Sequence, residues 1–177
     1  SWDWDTGFVT SKATMEDTTE NRISAIALYE GLNDMTSAAI NPFAATNNNI
    51  ERALVDTSGT AALEQDGSYQ DKMPAIILDV DETVLDNSAF QARTIIEGLS
   101  YPNGWVEYVK EENSTLVSGV KDFLLFAKEK GVKVFYVTNR IHILEKATKN
   151  NIKALGLPFD DDTDVLLMRD ENGWTRD

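Results

Sequence analysis

The stretch that decides the fold is AIILDVDETVLDNSAF, residues 75–90. A short apolar run bounded by polar residues is typical of a buried strand, and here it predicts a strand over 75–81. Four carboxylates lie within or just after that run: Asp79, Asp81, Glu82 and Asp86. Because neighbouring carboxylates repel one another, such a strand end is stable only where cations, hydrogen-bond donors or solvent offset their charge.

Strands and helices alternate in the sequence that follows. The predicted elements are a helix over 117–131, a strand over 132–139, a helix over 140–156 and a strand over 164–169. The strands are apolar on both faces, which is typical of parallel strands joined by helical crossovers. The sequence therefore predicts an α/β protein with a parallel sheet.

The residues before the first strand follow a different pattern. Helical spacing of apolar residues predicts one helix within 12–40 and another over about 48–55, and a polar connector over 57–72. We therefore divide the chain into an N-terminal helical arm with its connector, residues 1–72, and an α/β core, residues 73–177.

Length and composition limit the possible functions. The 177 residues fit one domain with an arm, and 42% hydrophobic with 26% charged residues is ordinary for a soluble globular protein. The absence of Cys excludes disulfides and thiolate metal sites. The net charge of −14 argues against a nucleic acid polymer as partner. A site for an anionic substrate therefore needs local cations or a metal.

Two predicted strands end in polar residues at the same edge of the sheet. Asp79 and Asp81 end the first strand, and Thr138 and Asn139 end the second. Active sites of open α/β sheets form beyond these carboxyl ends. There, one carboxylate can attack phosphorus or hold a divalent cation, and a second can protonate a leaving oxygen. A hydroxyl and the N-terminus of the following helix can bind phosphoryl oxygens. The alternative interpretation is a solvated acidic turn with Thr138 as a helix N-cap.

Two blocks of sequence resemble known motifs. DVDETVLDNS, residues 79–88, and FYVTNR, residues 135–140, are similar to motifs I and II of the haloacid dehalogenase (HAD) superfamily. The continuation after Asp81 resembles the class C acid phosphatases, a group that includes the bacterial lipoprotein e(P4) proteins and plant class B relatives. The resemblance implies a HAD-like three-layer α/β fold with a small cap insertion at about 88–116.

The resemblance also implies roles for the residues at the strand ends. Asp79 would be the nucleophile that forms an aspartyl-phosphate, and it would bind Mg²⁺ through its carboxylate. Asp81 would be the general acid and base, with its main-chain carbonyl on the metal. Thr138 and Asn139 would bind the phosphate. The implied activity is that of a Mg²⁺-dependent acid phosphatase acting on phosphomonoesters.

Three further residues are candidates for substrate binding. Trp105 matches the family position whose aromatic ring stacks on the substrate, which favours nucleoside monophosphates or aromatic phosphates. Phe90 would line the mouth of the pocket, and Asn87 would contact substrate or orient Asp79. Packing is the alternative for the two aromatic residues, and a turn after the strand is the alternative for Asn87. Tyr101 and Tyr108 are interpreted as packing residues.

The remaining polar residues near the motifs have structural interpretations. Glu82 is expected to be solvated or bound to backbone, and Asp86 to cap the following helix. His142, the only histidine, follows the second motif directly. It is interpreted as an exposed helix residue, with a phosphohistidine mechanism as the alternative.

The sequence departs from the family in one respect. The motif III Lys and the motif IV acidic metal ligands are absent from residues 1–177. We therefore expect either a longer native polypeptide or a second chain that supplies them, and weak activity from residues 1–177 alone. A homo-oligomer, tethering through a removed lipoprotein signal and an extracytoplasmic location (periplasmic, outer-membrane or secreted) are further expectations, the last two implied by the resemblance.

Two functions from other classes remain open. One is a non-catalytic storage or binding protein on the HAD scaffold, which the missing motifs favour and the retained Asp79 opposes. The other is a HAD enzyme of different chemistry, such as a phosphotransferase or a dehalogenase. Asp81 favours phosphoryl chemistry, because a dehalogenase has no leaving alkoxide to protonate.

Overall fold

The computed structural model describes residues 2–3, 8–9, 44–57 and 72–170. The helix predicted within 12–40, most of the predicted connector and the region where motif III would begin lie outside the described residues. The second predicted helix is present as α1, Ala44–Val55.

The helices and strands of the core alternate in the predicted order. The strands are β1 Trp2–Asp3, β2 Phe8–Val9, β3 Ala75–Leu78, β4 Leu85–Asp86, β5 Thr115–Leu116, β6 Lys133–Thr138 and β7 Leu166–Met168. The other helices are α2 Ser88–Glu97, α3 Trp105–Lys110, α4 Val120–Glu129, a 3₁₀ turn His142–Leu144 and α5 Glu145–Ala154. None of the helices within the described residues is long and apolar enough to cross a membrane.

The core is a parallel sheet with the strand order β3-β6-β7. β3 pairs with β6 in the register Ile76↔Val134, and β6 pairs with β7 in the register Tyr136↔Leu166. The prediction of a parallel α/β sheet is confirmed. Two antiparallel pairs, β1–β2 and β4–β5, accompany it among the described residues.

One face of the sheet carries the hydrophobic core. Tyr136, Leu166 and Met168 are buried on this face, together with the apolar sides of α4 and α5. On the other face Ile77 is 69% exposed and Val137 is 40% exposed. The strands are apolar on both faces, as the sequence shows, but the second face is partly exposed in the described part of the chain. Both crossover connections step in the same direction across the sheet, and right-handed crossovers then place α4 and α5 on the same side.

The first motif lies on a turn rather than inside a strand. β3 ends at Leu78, whereas the sequence predicted a strand to residue 81. The N–H groups of Val84 and Leu85 both donate to the carbonyl of Val80, at 3.0 and 2.8 Å. This turn carries Glu82 in the left-handed region, at φ 56°. Asp79 and Asp81 are thus placed beyond the end of the strand.

The segment after β6 also differs from the prediction. The sequence predicted a helix from residue 140, but the 3₁₀ turn begins at His142 and α5 begins at Glu145. The backbone of Arg140 has other partners: its N–H donates to Thr138 Oγ1 at 3.1 Å, and its carbonyl accepts from Arg169 N–H at 3.1 Å. These bonds join Arg140 to the ends of both neighbouring strands, so the helix starts later.

The insertion expected at about 88–116 contains α2 and α3. It is closed at its base by the β4–β5 pair, in which Leu85 faces Leu116 and Asp86 faces Thr115. The carboxylate of Asp86 accepts from the N–H of Ser88 at 2.8 Å and forms an Asx turn before this helix. The N-cap residue is Asn87, without a side-chain capping bond, so Asp86 does not cap the helix as expected.

Candidate active site

A cavity of about 500 Å³ lies at the carboxyl ends of the parallel strands. All seven residues that the sequence predicted for the site line it: Asp79, Asp81, Asn87, Phe90, Trp105, Thr138 and Asn139. The strand ends bring the two motifs together, and the insertion supplies the opposite wall. The predicted proximity is therefore confirmed, and the individual roles of these residues stay predictions.

Asp79 is an acid exposed toward the cavity. Partial burial of its carboxyl group and, to a smaller extent, the negative charge of Asp81 raise its pKa to about 6. The N–H of Val80 and the guanidinium of Arg140 act in the opposite direction. A carboxylate in this position is stabilised when a cation binds beside it, and it has an open approach for a nucleophilic attack.

Asp81 forms a buried ion pair that the sequence reasoning did not predict. Arg140, only 3% exposed, donates from Nε to both carboxylate oxygens at 3.1 and 3.2 Å, and from Nη2 to Oδ1 at 2.7 Å. Its Nη1 donates to Thr148 Oγ1 at 3.0 Å, and its guanidinium lies 5.3 Å from the ring centroid of Trp105. One feature of the sequence could have indicated this pair: the second motif ends in an Arg, and the neighbouring strand ends in acidic residues.

Asn87 has different partners from the predicted ones. Only 1% exposed, it donates from Nδ2 to Asp81 Oδ1 at 2.8 Å and to Glu82 Oε1 at 3.0 Å. Its Oδ1 accepts from Ser114 Oγ at 3.1 Å. Asn87 therefore orients Asp81 rather than Asp79, because the turn after β3 carries Asp81 toward it.

Ser114 connects the insertion to the core. Its N–H donates to Asn151 Oδ1 at 3.0 Å, and its carbonyl accepts from Asn151 Nδ2 at 3.1 Å. All of these groups are buried. This pair of hydrogen bonds fixes the end of the insertion against α5, and it fixes the Ser114 hydroxyl that holds Asn87.

Glu82 lines the cavity. Of the two environments expected for it, solvent or a backbone contact, the structure shows the backbone contact. Its carboxylate accepts from the N–H of Asn87 at 3.3 Å as well as from the Asn87 side chain, so the expected contact with backbone is present. Burial and, to a smaller extent, the charge of Asp81 raise its pKa to about 7. Near neutral pH a proton therefore resides on Glu82 far more often than on an ordinary glutamate.

We expect Glu82→Gln to stabilise the protein at pH 8 and to have little effect at pH 4. The native pKa of Glu82 lies above the usual value of 4.5, so its contribution to stability is complete below pH 4.5 and is lost as the pH rises to about 7. With allowance for solvent screening, the gain at pH 8 is about 1–2 kcal/mol in the free energy of unfolding. Urea unfolding at the two pH values measures it.

Glu111→Gln is the matched control for this prediction. Glu111 is exposed and paired with Arg93, whose hydrogen bonds lower its pKa. The pKa shift of Glu111 has the opposite sign to that of Glu82, so Glu111→Gln should lose stability above pH 4.5 rather than gain it. An equal stability change in Glu82→Gln at pH 4 and pH 8 would contradict the prediction.

Thr138 and Asn139 lie where the second strand ends. Thr138 is 5% exposed, and its Oγ1 accepts from the N–H of Arg140, which leaves the hydroxyl proton to donate into the cavity. The alternative interpretation of Thr138 as a helix N-cap is wrong, because the 3₁₀ turn begins only at His142. For the same reason, no helix N-terminus directly follows Asn139 to donate to an anion there.

His142 lies outside the cavity. Its side chain is 56% exposed, and its Nδ1 lies 3.4 Å from the carboxylate of Glu145. Its backbone N–H donates to the carboxylate of Asp170. These contacts agree with an exposed structural residue and give no support to a phosphohistidine mechanism.

The insertion contributes an aromatic wall. The ring of Trp105 packs edge-on against Phe90 at 4.9 Å and stacks with Tyr108 at 5.8 Å. Phe90 is 1% exposed, so it supports the wall more than it forms its surface. Tyr101 is 42% exposed and lines the cavity, although the sequence predicted that it would pack. The exposed aromatic surface is therefore made by Tyr101 and Trp105.

Of the two acids at the end of β3, Asp79 and Asp81, only Asp79 is well placed to bind a divalent cation through its carboxylate. Within residues 44–57 and 72–170, no three acidic or histidine side chains are grouped as a metal cage. However, Mg²⁺ is commonly bound by one or two carboxylates, with water and substrate phosphate completing its ligands. The exposed carboxylate of Asp79 fits that pattern. The carboxylate of Asp81 fits less well in this arrangement, because Arg140 already offsets its charge and its Oδ1 accepts from both Arg140 and Asn87.

Comparisons with known proteins agree with this geometry. The chain is similar to the class C acid phosphatase from Bacillus anthracis, with 28% identity and a TM-score of 0.62 over 86% of this chain and 59% of that one. A crystal structure of the same phosphatase with tungstate bound matches equally well. The chain thus spans about three fifths of the length of this relative.

The family model for HAD superfamily, subfamily IIIB (acid phosphatase) matches residues 11–176. The HAD-like fold and the family predicted from the two motifs are therefore confirmed, and the chain belongs to the subfamily IIIB acid phosphatases of the HAD superfamily.

Proposed function

We propose that this protein is an acid phosphatase that hydrolyses phosphomonoesters through an aspartyl-phosphate on Asp79. The observation that carries the proposal is the placement of Asp79, Asp81 and Thr138 on a single cavity at the strand ends. Family membership supports it, as does the tungstate bound to the Bacillus anthracis phosphatase, since tungstate is a tetrahedral oxyanion like phosphate.

The first step transfers the phosphoryl group to the protein. A carboxylate oxygen of Asp79 forms a bond to phosphorus while the bond from phosphorus to the ester oxygen breaks. Asp81 gives a proton to that oxygen, which leaves as an alcohol. Below the second pKa of a phosphomonoester, about 6, the substrate itself brings a proton that Asp81 can pass on. The Thr138 hydroxyl donates to an equatorial phosphoryl oxygen.

The second step regenerates the protein. Water forms a bond to phosphorus and gives a proton to Asp81, while the bond between phosphorus and the Asp79 oxygen breaks. The products are inorganic phosphate and free Asp79. The sum of the two steps is one ester and one water converted into one alcohol and one phosphate.

HAD acid phosphatases generally use a divalent metal ion. We propose Mg²⁺ here, with the carboxylate of Asp79 and the main-chain carbonyl of Asp81 as its protein ligands. The turn's own hydrogen bonds use the carbonyls of Val80 and Leu85, so the Asp81 carbonyl is left for this role. When bound, the ion neutralises phosphate charge that the acidic site would otherwise repel.

We propose nucleoside monophosphates or aromatic phosphates as the substrates. The wall formed by Tyr101 and Trp105 offers aromatic surface on the side of the cavity opposite the acids. Stacking of a substrate ring on such a surface contributes about 0.5–1.5 kcal/mol beyond the area it buries. An alkyl phosphate cannot make this contact.

A hydrolysis assay of the full chain tests the proposal. We expect Mg²⁺-dependent release of inorganic phosphate from phenyl phosphate, and activity that EDTA removes and added Mg²⁺ restores. The KM for phenyl phosphate should be about tenfold lower than that for an alkyl phosphate. Phosphate release that EDTA leaves unchanged would contradict the metal requirement. Absence of release with Mg²⁺ present would favour a storage or binding protein.

We also propose an extracytoplasmic location, because class C acid phosphatases are typically extracytoplasmic. Fractionation of the native cells, followed by detection of the protein with an antibody, tests this location. Recovery only in the cytoplasmic fraction would contradict it.

A further inference from the structure

We infer that Arg140 is a positioning residue that selects which oxygen of Asp81 moves the proton, and that Thr148 holds Arg140 in place for this task. The inference rests on the proposed function, because it requires Asp81 to act as an acid and base. It adds a role for two residues that do not themselves have to contact the substrate.

The two oxygens of Asp81 are in unequal surroundings. Oδ1 accepts three hydrogen bonds, from Arg140 Nη2 at 2.7 Å, Asn87 Nδ2 at 2.8 Å and Arg140 Nε at 3.1 Å. Oδ2 accepts only the longer bond from Arg140 Nε, at 3.2 Å, among the described contacts. A carboxylate oxygen has about two lone-pair sites, so Oδ1 is fully used. Oδ2 is therefore the oxygen with capacity to give a proton to a leaving group or take one from water.

The guanidinium that imposes this asymmetry is itself held on several sides. Its Nη1 donates to Thr148 Oγ1, and the Thr148 hydroxyl donates onward to the carbonyl of Leu144 at 2.9 Å. The ring of Trp105 covers the guanidinium, and the Arg140 backbone is bonded at both N–H and carbonyl. Thr148 is fully buried, so its hydroxyl has a single orientation that can serve both partners.

Fold stability alone does not account for this arrangement. Replacing a buried ion pair by well-packed apolar residues is often neutral or stabilising, because desolvation of the charges offsets their attraction. A planar fork with bonds to both oxygens of one carboxylate fixes orientation better than a point charge does. The Arg140–Asp81 pair therefore fixes the orientation of the Asp81 carboxylate.

Thr148→Val tests the inference without touching Asp81 or the cavity. The change removes the acceptor of Nη1 and keeps the shape of the side chain. Thr94→Val is the matched control, since Thr94 is also a buried helix threonine whose hydroxyl donates to a backbone carbonyl, that of Gln91 at 2.8 Å. Each full-length variant is assayed with 4-nitrophenyl phosphate, whose leaving group needs little protonation, and with an alkyl phosphate, whose leaving group needs a proton.

We expect Thr148→Val to lower kcat/KM for the alkyl phosphate about tenfold, a part of the 10²–10⁴ that acid–base catalysis contributes. The kcat/KM for 4-nitrophenyl phosphate should stay close to that of the wild type, because kcat/KM reports the steps up to loss of the leaving group and not the later hydrolysis that both substrates share. Thr94→Val should change kcat/KM for neither substrate. In an Asp81→Asn background, Thr148→Val should have no further effect.

Two results would overturn the inference while the proposed function stands. These are an equal loss of kcat/KM for both substrates, which indicates a general structural defect, and an unchanged kcat/KM for both. Failure of the wild-type protein to hydrolyse either substrate would instead overturn the proposed function, and the inference with it.

Discussion

Replacing Asp79 by asparagine is expected to lower kcat for phosphomonoester hydrolysis about 10³-fold or more. The amide lacks the negative charge of the attacking oxygen, and it is a poor ligand for Mg²⁺. The same variant should be more stable than the wild type above pH 6. Burial raises the pKa of Asp79 to about 6, so its charged form disfavours folding as the pH rises from 3.8 through that value.

The combination of lost activity and gained stability distinguishes a lost nucleophile from an unfolded protein. The measurements are phosphate release with Mg²⁺ and thermal unfolding, both at pH 7.5. Asp162→Asn, a change at an exposed acid outside the cavity, is the control and should alter neither quantity. An Asp79→Asn protein that retains a tenth of the wild-type kcat would show that another group is the nucleophile.

The second large effect is expected from Arg140→Met, which should lower the free energy of unfolding by about 3–5 kcal/mol. The side chain of Arg140 is 1% exposed and that of Asp81 is 22% exposed. Removing the guanidinium leaves Asp81 as an uncompensated charge beside Asp79 and Glu82. Methionine keeps much of the side-chain volume of arginine. The loss of stability therefore comes from the unpaired charge of Asp81 and not from a cavity.

A double-mutant cycle with Asp81→Asn isolates the contribution of this pair. The double variant should be more stable than Arg140→Met alone, because the stranded charge is gone. Arg93→Met provides the control: Arg93 also pairs with a carboxylate through more than one bond, from Nη1 and Nη2 to Glu111, but at the surface, and little change is expected there. Equal losses from the two arginine variants at pH 7.5, measured by urea unfolding, would show that burial does not strengthen the first pair.

The sequence was sufficient for the parts of the site that depend on strand order. A run such as AIIL followed by acids, and VFYVT followed by Asn, predicts two strands whose ends carry polar residues. Parallel pairing then places those ends together, and the structure has them on one cavity. The motifs also carried enough specificity to identify the family.

Other features depended on contacts that local patterns do not encode. The pairing of Arg140 with Asp81 joins residues far apart in sequence, and it depends on a turn at Val80–Leu85 that ends the strand early. The helix after β6 was predicted too early because helical spacing does not reveal that the Arg140 backbone bonds to Thr138 and Arg169 instead. The open face of the sheet could not be predicted, because apolar residues alone do not show which side the crossovers take.

The short β4–β5 pair has a consequence for how this protein could diversify. It holds the two ends of the insertion next to each other, so the residues between them form a closed loop whose entropic cost rises only slowly with length. Segments of other lengths could therefore be exchanged at this position with little penalty to the sheet. Such an exchange would change which leaving groups fit, provided that the new segment kept a serine at position 114 and an aromatic ring over Arg140. On the proposed function, the insertion is thus the part of the chain where substrate preference could change while the strand ends stay the same.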